Sequence, residues 1–326
     1  MAILTILEAI RAALDYEIGR DPSVVVFGED VGFNGGVFRA TEGLQKKYGE
    51  KRVFDTPLAE AGIVGIAIGM AINGMKPVGE IQFDGFIYPG FDQLISHAAR
   101  MRTRSRGKYS CPLVIRAPYS GGVHAPEHHS ESMEAIYAHT PGLKVVIPST
   151  PADAKGLLIS AIRDPDPVLF LEPKRIYRTI KQEVPDGEHT VPLGKARLVC
   201  SGKDLSIIAW GSMIPLCEEV MQQFATQGIS IELLDLRTIS PFDMDAVIAT
   251  AQKTGRVVIV HEAPRTAGFA GELIAQINEK ALFSLKAPVV RVTGFDTVMP
   301  LYKLEKTYLP DTKRIIAGVQ NVLQYS

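Results

Sequence analysis

The sequence predicts an α/β protein in which a doubly wound, mostly parallel sheet is followed by a second α/β unit. Two observations carry this prediction. Short strand-like runs alternate with longer helical segments up to residue 171, and the same alternation resumes after a stretch of mixed charge at 174–202. Such alternation is typical of a parallel sheet covered by helices. At 326 residues the chain is long enough for two such domains.

The first unit begins with a helix and continues as strands and helices in turn. Thr5 and Glu8 fit a capping box, and apolar residues then recur at helical spacing. The predicted strands are 24–27, 52–54, 78–83, 113–115, 145–147 and 168–171. The predicted later helices are 63–72, 91–106 and 151–163, the last of which begins at Pro151.

The second unit repeats the pattern after a segment without clear periodicity. Pro185 and Gly187 lie in that segment, which we interpret as a linker with some extended structure. The predicted strands beyond it are 205–209, 229–234, 257–260 and 289–292, and the predicted helices are 214–226, 244–253 and 268–280. We therefore divide the chain into a first domain at 1–175, a linker at 176–202 and a second domain at 203–326.

Composition excludes several classes of protein. Lys and Arg number 35 against 36 Asp and Glu, so the chain has no overall charge that would attract nucleic acid or an anionic membrane. The longest apolar stretch, 61–75, is shorter than the ~20 residues of a membrane span. No secretory signal is visible at the start. Cys111, Cys200 and Cys217 are widely spaced, which favours a reduced, cytoplasmic compartment.

Common nucleotide and hydrolase motifs are absent. The sequence contains no GxGxxG, no GxxxxGK[ST] and no GxSxG. The glycine-rich stretch 28–36 lacks the spacing of a phosphate loop, and its simplest interpretation is a loop after a strand.

Glu60 is the first candidate for a functional carboxylate. It ends the run Asp-Thr-Pro-Leu-Ala-Glu at 55–60, where a strand gives way to an apolar helix. A carboxylate at a helix start has an ordinary explanation, since it contributes only ~0.3–1 kcal/mol through the helix dipole. A functional interpretation needs a partner site.

Two segments could supply such a partner. Residues 80–86 follow a strand and carry Phe83 and Phe86, whose rings could belong to the core or form a flat face for a heterocycle. Residues 121–130 form a loop with three histidines, including His128 and His129. A zinc site in this loop is disfavoured, because Pro126 breaks any regular helix and no HExxH or nearby cysteine occurs.

A basic run lies between these two segments, with Arg or Lys at every second position from Arg100 to Lys108. It is interpreted as a solvated helix end, or as a contact with an acidic partner surface. Nucleic acid is disfavoured, because no aromatic interleaving accompanies the charges.

Taken together, these segments resemble the β subunits of pyruvate and branched-chain 2-oxo acid dehydrogenases, which depend on thiamin diphosphate. The resemblance covers essentially the whole chain. Its markers are Gly-Glu-Asp-Val-Gly at 28–32, Asp-Thr-Pro-Leu-Ala-Glu at 55–60, His-His-Ser at 128–130, Pro-Gly-Leu-Lys-Val-Val at 141–146, Asp-Ala-Lys-Gly-Leu-Leu at 153–158 and Asp-Leu-Arg-Thr-Ile-Ser-Pro at 235–241.

The resemblance implies a pyrimidine-binding domain of transketolase type, followed by a transketolase C-terminal-like domain. It also implies an α2β2 assembly with the cofactor between subunits. Glu60 matches the family's cofactor-activating residue, and Phe86 matches the aromatic ring stacked on the pyrimidine. Leu58 and Gln82 would line the same pocket. His129 matches the proton donor for acyl transfer to the lipoyl group. Its neighbour His128 would point elsewhere if the segment is extended.

Two metal ions are implied as well. The sequence has no Gly-Asp-Gly, with which the family's metal–diphosphate motif begins, so the ligands of Mg²⁺ are expected on an α subunit. The family also has a structural potassium ion bound mainly by backbone carbonyls. Carried over, its ligands are Leu113, Ala161, Ile162, Asp164 and Asp166.

The resemblance implies decarboxylation of a 2-oxo acid and transfer of its acyl group to a dihydrolipoyl acyltransferase core. The loop at 126–129 favours pyruvate, with a branched-chain 2-oxo acid as the alternative. A non-catalytic scaffold subunit of the same fold is the next alternative, and the joint presence of Glu60, Phe86 and His129 counts against it. An unrelated metal hydrolase, or a fragment of transketolase or deoxyxylulose phosphate synthase, fits the motifs less well.

Overall fold

The structure, a computed structural model, describes residues 1–325. Within that range the strands form sheets of seven, five and two strands. The strands are β1 (Ala2–Thr5), β2 (Val24–Gly28), β3 (Val53–Asp55), β4 (Lys76–Glu80), β5 (Val114–Tyr119), β6 (Lys144–Val146), β7 (Val168–Pro173), β8 (Lys181–Val184), β9 (Arg197–Cys200), β10 (Leu205–Ala209), β11 (Ile231–Asp235), β12 (Thr238–Ser240), β13 (Val257–Val260) and β14 (Val290–Val292).

Helices connect most of these strands. The α-helices are α1 (Ile6–Arg20), α2 (Leu44–Tyr48), α3 (Glu60–Ile72), α4 (Met101–Arg104), α5 (Glu134–Ala138), α6 (Pro151–Arg163), α7 (Met213–Ala225), α8 (Met244–Thr254), α9 (Ala270–Ala281), α10 (Tyr302–Tyr308) and α11 (Thr312–Leu323). Short 3-10 helices occur at Asp84–Gly90, Lys174–Ile176 and Leu282–Ser284, and a π-helix occurs at Gln93–Ala98.

The seven-stranded sheet is the mostly parallel sheet that the sequence predicts. Its strand order is β12-β6-β7-β5-β4-β2-β3, and each neighbouring pair is parallel except β12 with β6. Strands β2, β5 and β7 are buried along their whole length. Continuous burial is expected of parallel strands covered on both faces.

Helices cover both faces of this sheet, so it is doubly wound as predicted. On one face, Leu14 of α1 and Leu158 of α6 share an apolar cluster with Val26 of β2. On the other face, Ile63 of α3 packs in a cluster with Phe27, the next residue of β2. Successive side chains of a strand point to opposite faces, which is why Val26 and Phe27 serve different clusters.

The five-stranded sheet forms the second α/β unit. Its order is β14-β13-β10-β11-β9, and only β9 runs antiparallel to its neighbour. Helices α7 and α11 cover one face, and α8 and α9 cover the other. One apolar cluster extends from Ile115 and Tyr119 of the first sheet to Trp210 and Ile259 of the second unit, so the two cores are continuous.

The segment 235–241 ties the two units together. Strand β12 leaves the second unit and pairs with β6 at the edge of the first sheet. Arg237 stabilises this segment where it passes from the second unit to the first sheet. Its guanidinium donates to Asp153 Oδ1 of α6 at 2.8 Å and to the carbonyl of Lys195 at 2.8 Å. The family marker at this position therefore has a structural role between domains.

Two expectations from the sequence differ from the structure. The continuous helix expected at 91–106 is wrong: a π-helix at Gln93–Ala98 is followed by the single turn of α4. The interruption lies where the backbone of Gly142 packs against the carbonyl of Ala99. The stretch 176–202 is more ordered than a linker, since β8 pairs with β1 and β9 joins the five-stranded sheet. The domain limits themselves remain a prediction.

Among residues 1–325, no helix is both long and apolar enough to cross a membrane. The cysteines at 111, 200 and 217 are all free thiols.

Candidate active site

The predicted site lies where parallel strands of the seven-stranded sheet end. Strand β2 ends at Gly28, β3 at Asp55, β4 at Glu80 and β5 at Tyr119. Open α/β sheets bind ligands at the carboxyl ends of their strands, because the loops that follow neighbouring strands meet there. The structure therefore brings four parts of the chain to one edge of the sheet. They are the glycine-rich loop (28–36), the start of α3, the aromatic segment (80–86, continuing into the 3-10 helix Asp84–Gly90) and the histidine loop (121–130).

Asp55 folds the glycine-rich loop onto this edge. Its carboxylate accepts the backbone N–H of Gly32 at 2.7 Å and that of Phe33 at 3.1 Å. Gly28 lies against the carbonyl of Glu80, so closely that a Cβ there would be 2.4 Å from the oxygen. The loop is a close-packed support for the site, which agrees with its simplest interpretation from sequence.

Glu60 is the first residue of α3 and is half-buried. Glu29, from the glycine-rich loop, is a charged neighbour. Burial raises the pKa of Glu29, and the negative charges of Asp30 and Glu60 raise it further. Two carboxyl groups therefore lie near each other at this edge of the sheet. Sequence reasoning did not select Glu29, although it lies inside the marker at 28–32.

The aromatic segment packs directly on the start of α3. The 3-10 helix Asp84–Gly90 approaches the first turn of α3 so closely that a Cβ on Gly90 would be 3.1 Å from the carbonyl oxygen of Glu60. This contact brings the segment that carries Phe86 against the residue that carries the candidate carboxylate. Gln82 lies beside the glycine-rich loop, where its Nε2 donates to Asp30 at 3.3 Å. Leu58, just before α3, is 70% exposed.

Phe86 and His129, predicted on separate segments, are in contact. The ring centroid of His129 is 4.8 Å from that of Phe86 and 4.3 Å from that of Phe83, and the two phenyl rings are 5.6 Å apart. Phe86 is half-buried, so part of the residue is accessible to solvent. His129 therefore lies at the aromatic surface that the sequence suggested for a heterocycle.

The backbone fixes which nitrogen of His129 carries a proton. Nδ1 lies 2.8 Å from the carbonyl oxygen of Glu127. A carbonyl only accepts, so Nδ1 is the donor, and Nε2 is the nitrogen that can exchange a proton with a ligand. His128 contacts other residues, and it lies in a turn with positive φ, not in the extended segment that its prediction assumed. Its ring lies 5.9 Å from that of Tyr88, and its Nδ1 is 3.8 Å from Glu131.

Ionisable groups that sequence reasoning missed lie buried behind the aromatic surface. Asp84 accepts the hydroxyl of Tyr137 at 3.0 Å and the N–H of Met133 at 3.1 Å, and burial raises its pKa to about 6. Burial also raises the pKa of Glu134 to about 7 and lowers that of Lys174 to about 8. These residues come from distant positions, and no local pattern marks them.

A second buried charge cluster lies under the strand ends. Arg116 of β5 donates to Glu80 at 2.6 Å and to Glu172 at 2.6 Å, and all three side chains are almost fully buried. Burial raises the pKa of Glu80, while the guanidinium opposes that rise. The cluster joins β4, β5 and β7 below the cleft, and its role is structural.

The residues expected to bind potassium surround the turn after α6. The carbonyl of Leu113 accepts the N–H of Val168 at 3.0 Å, and that of Ala161 accepts the N–H of Asp164 at 3.2 Å. The carboxylates of Asp164 and Asp166 pair with Lys144 at 2.6 Å and with Arg102 at 2.7 Å. Ile162 is buried in α6. Within residues 1–325, no group of three or more His, Cys, Asp or Glu could hold a metal ion.

The basic run at 100–108 lies at the surface around α4. Arg102 pairs with Asp166, and Arg104 donates to the carbonyl of Ser96 at 2.7 Å. The side chains of Arg100, Arg106 and Lys108 are exposed. This arrangement agrees with a solvated helix end, and a contact with an acidic partner stays a prediction.

Two family models match successive parts of the chain, and the domain limits predicted from sequence stay a prediction. The family model described as "Transketolase, pyrimidine binding domain" matches residues 3–179, and "Transketolase, C-terminal domain" matches residues 194–315. The five-stranded sheet lies within the second match, and the seven-stranded sheet lies within the first match except for β12, which lies within the second.

Curated relatives are similar over the full length. The chain is 56% identical to "Pyruvate dehydrogenase E1 component subunit beta" of Acholeplasma laidlawii over 99% of this chain and 98% of the relative. It is 53% identical to the protein of the same name from Bacillus subtilis, over 100% of both chains. The protein of that name from Staphylococcus aureus is 48% identical, again over 100% of both chains.

Solved structures share the fold. One described as "Split gene transketolase, inactive beta4 tetramer" superposes with a TM-score of 0.81 over 99% of both chains at 21% identity. A transketolase from Pichia stipitis superposes with a TM-score of 0.71 over all of this chain and 47% of that chain, at 14% identity.

Proposed function

This chain belongs to the family of pyruvate dehydrogenase E1 component β subunits, and from that premise we propose that it forms the pyrimidine-binding half of a thiamin diphosphate site. The single observation that carries the proposal is the joint placement of Glu60, Phe86 and His129 at one edge of the seven-stranded sheet. We propose that the reaction is oxidative decarboxylation of pyruvate, with transfer of the acetyl group to a lipoyl group. The names of the full-length relatives support pyruvate over a branched-chain substrate.

The residues present fit the pyrimidine half of the cofactor. A ring of that kind needs a carboxyl at one nitrogen and an apolar face, and the cleft offers Glu60 and the open part of Phe86. Leu58 and Gln82 would line its sides. The ligands for Mg²⁺ and the diphosphate are assigned to an α subunit, because this sequence has no Gly-Asp-Gly.

Thiamin diphosphate, when bound, supplies an electron sink for loss of carbon dioxide from a 2-oxo acid. Glu60 acts on the pyrimidine ring. Its carboxyl would share a proton with the ring nitrogen N1′, which favours the cofactor form in which the 4′-nitrogen can accept a proton. Glu60 is the first residue of α3, where its carboxyl would meet the ring edge, and its negative charge helps to raise the pKa of the neighbouring Glu29.

His129 would serve as proton donor from Nε2 when the acyl group passes to the lipoyl group. Its Nδ1–H is held by the carbonyl of Glu127, so the imidazolium would present Nε2–H towards the cleft. General acid catalysis of this type contributes roughly 10²–10⁴-fold to a rate. The aromatic contacts with Phe83 and Phe86 keep the ring in place for that transfer.

The assembly is also part of the proposal. An α subunit must complete the cofactor site, and we propose an α2β2 heterotetramer that works with a dihydrolipoyl acyltransferase core in the cytoplasm. A structural potassium ion would be bound by the carbonyls of Leu113, Ala161, Ile162, Asp164 and Asp166. These ligands are carried over from the resemblance, and the pairing of the Asp164 and Asp166 carboxylates with basic side chains is compatible with binding through carbonyl oxygens.

The test uses the complex formed with an α subunit. The two chains are co-expressed, thiamin diphosphate and Mg²⁺ are added, and pyruvate-dependent reduction of an electron-accepting dye is followed. Glu60→Ala should abolish dye reduction while the variant still co-purifies with the α subunit. Exposed Glu50, changed to Ala, is the matched control. Normal turnover by Glu60→Ala would overturn the role of Glu60.

A further inference from the structure

A buried carboxylate of the second unit binds the backbone of the loop that carries His129 at two positions. Glu305, on α10, accepts the backbone N–H of Gly122 at 2.6 Å and that of His124 at 3.0 Å. Its Oε2 also lies 2.7 Å from Nδ1 of His124. Glu305 is 2% exposed. Bonds to a carboxylate withdrawn from water are stronger than bonds between neutral groups.

Two further groups hold the same end of the loop. Glu262, which follows β13, accepts the N–H of Gly121 at 3.1 Å. The buried ammonium of Lys174 donates to the carbonyl of Ser120. Three charged side chains, two of them from the second unit, therefore bind the backbone at 120–124.

The loop needs such restraint because its backbone is strained. Ser120, Gly122, His124 and His128 all have positive φ, with values of 73°, 95°, 56° and 64°. Residues other than glycine adopt this region at a cost in free energy and remain there only where surrounding contacts impose it. Without its contacts at 122–124, the loop would relax to other conformations.

The far end of the loop is fixed against the aromatic segment. A Cβ on Gly85 would lie 2.2 Å from the carbonyl oxygen of His128, so the two backbones are in direct contact. The N–H of Ser120 donates to the carbonyl of Glu131 at 2.8 Å and closes the base of the loop. Only a few residues separate His124 from His129. A displacement of the backbone at 122–124 is therefore expected to move His129 as well.

We propose that Glu305 is a positioning residue of this active site: by binding Gly122 and His124 it holds the loop so that His129 stays against Phe83 and Phe86. The proposal rests on the role of His129 under the proposed function. Glu305 acts through the loop and not on the substrate, because both of its carboxylate oxygens are already occupied by loop atoms. The second unit thereby controls the placement of a proton donor in the first.

Glu305→Gln tests the proposal, since the amide keeps the size of the side chain but loses the charge and one acceptor. In the complex with the α subunit, backbone hydrogen exchange across 120–131 should be roughly 10-fold faster than in the parent. Lipoyl acylation should fall by about 10-fold, because a displaced proton donor is a poor one. Dye-coupled decarboxylation should stay within about 2-fold, because His129 is not assigned to that step.

The matched control is Glu279→Gln, an exposed glutamate on α9. It should change neither exchange nor acylation. A double variant then asks whether Glu305 acts through His129. In a His129→Ala background, Glu305→Gln should cause no further loss of acylation, because residues that act as a unit are not additive.

Unchanged exchange at 120–131, equal losses in both assays, or losses that add in the double variant would each overturn the proposal. Should Glu305→Gln fail to fold, Glu305→Asp replaces it. Glu305→Asp keeps the charge but shortens the side chain by one methylene, which moves the carboxylate away from the loop. It should show smaller increases in exchange at 120–131 and a smaller, still selective loss of lipoyl acylation. A parent complex without pyruvate-dependent activity would contradict the proposed function instead, and the exchange measurement would still decide whether Glu305 holds the loop.

Discussion

The ring of His129 meets the ring of Phe86 edge to face, with 4.8 Å between their centroids and 77° between their planes. This contact lies at the aromatic surface that we propose for the cofactor, and His129 is the proposed proton donor. His129→Ala removes the proposed donor and leaves Phe86 and Glu60 in place. We expect lipoyl acylation to fall by roughly 10²-fold, as for loss of a general acid, and dye-coupled decarboxylation to fall much less.

The control for this prediction is His139→Ala, a change at the end of α5 away from the loop. Acylation is measured with a free lipoyl domain and decarboxylation with the dye, on the same complex. Equal losses in the two assays for His129→Ala would show that His129 has no special role in acyl transfer.

Arg116 should be essential to folding although it lies outside the cleft. Arg116→Met would leave Glu80 and Glu172 buried without a counter-charge, which costs about 3–5 kcal/mol of unfolding free energy. Arg102→Met is the matched control, because its pair with Asp166 is exposed and contributes at most about 1 kcal/mol. Urea unfolding of both variants measures the difference, and similar midpoints would contradict the prediction.

Much of the fold could be predicted from sequence because its signals are local. The strands of the seven-stranded sheet are short apolar runs, and α1 and α6 carry recognisable first turns: the Thr5–Glu8 capping box has its expected bonds at 2.8 Å and 3.3 Å. Two strands that were missed depend on distant partners. Strand β1 is defined by pairing with β8, and β12 by pairing with β6 across the domain boundary.

The residues of the candidate site also fall into two groups, those that sequence could select and those that only the tertiary structure reveals. Glu60, Phe86 and His129 lie inside motifs, so the resemblance could select them. Glu305 and Glu262 act only because the second unit folds against the histidine loop, more than 130 residues away along the chain. Their spacing carries no signal that they meet, and only the tertiary structure brings them together.

The raised pKa of Glu134 predicts how the free energy of unfolding should depend on pH. Burial raises its pKa from 4.5 to about 7, and its Oε1 accepts the indole N–H of Trp210 at 3.3 Å. Between these two values the folded chain holds a proton that the unfolded chain releases. Stability should therefore fall as pH rises from about 4.5 to 7, by roughly 3 kcal/mol for this group.

Glu134→Gln isolates that contribution, because glutamine is neutral at every pH and keeps an acceptor for Trp210. Asp84 and Asp235 also have pKa values raised to about 6, so the parent will lose stability in the same window for several reasons. The informative quantity is the difference between variant and parent. Between pH 5 and pH 8 the free energy of unfolding of the variant should rise relative to that of the parent, as measured by urea unfolding. A constant difference between the two proteins over this pH range would contradict the prediction.

The close contact between Gly85 and the backbone of His128 predicts that one added methyl group can displace the histidine loop. A Cβ at Gly85 would lie 2.2 Å from the carbonyl oxygen of His128, and neither backbone can yield without moving the other. Gly85→Ala should therefore destabilise the chain by roughly 1–3 kcal/mol, as overpacking does, and should reduce lipoyl acylation by about 10-fold or more. The matched control is Gly271→Ala in α9, where an added Cβ meets nothing within 4 Å. That change should stabilise the chain by about 0.5–1 kcal/mol, since alanine favours a helix over glycine. If both variants behave alike in unfolding and acylation, the contact between Gly85 and His128 does not set the position of the loop.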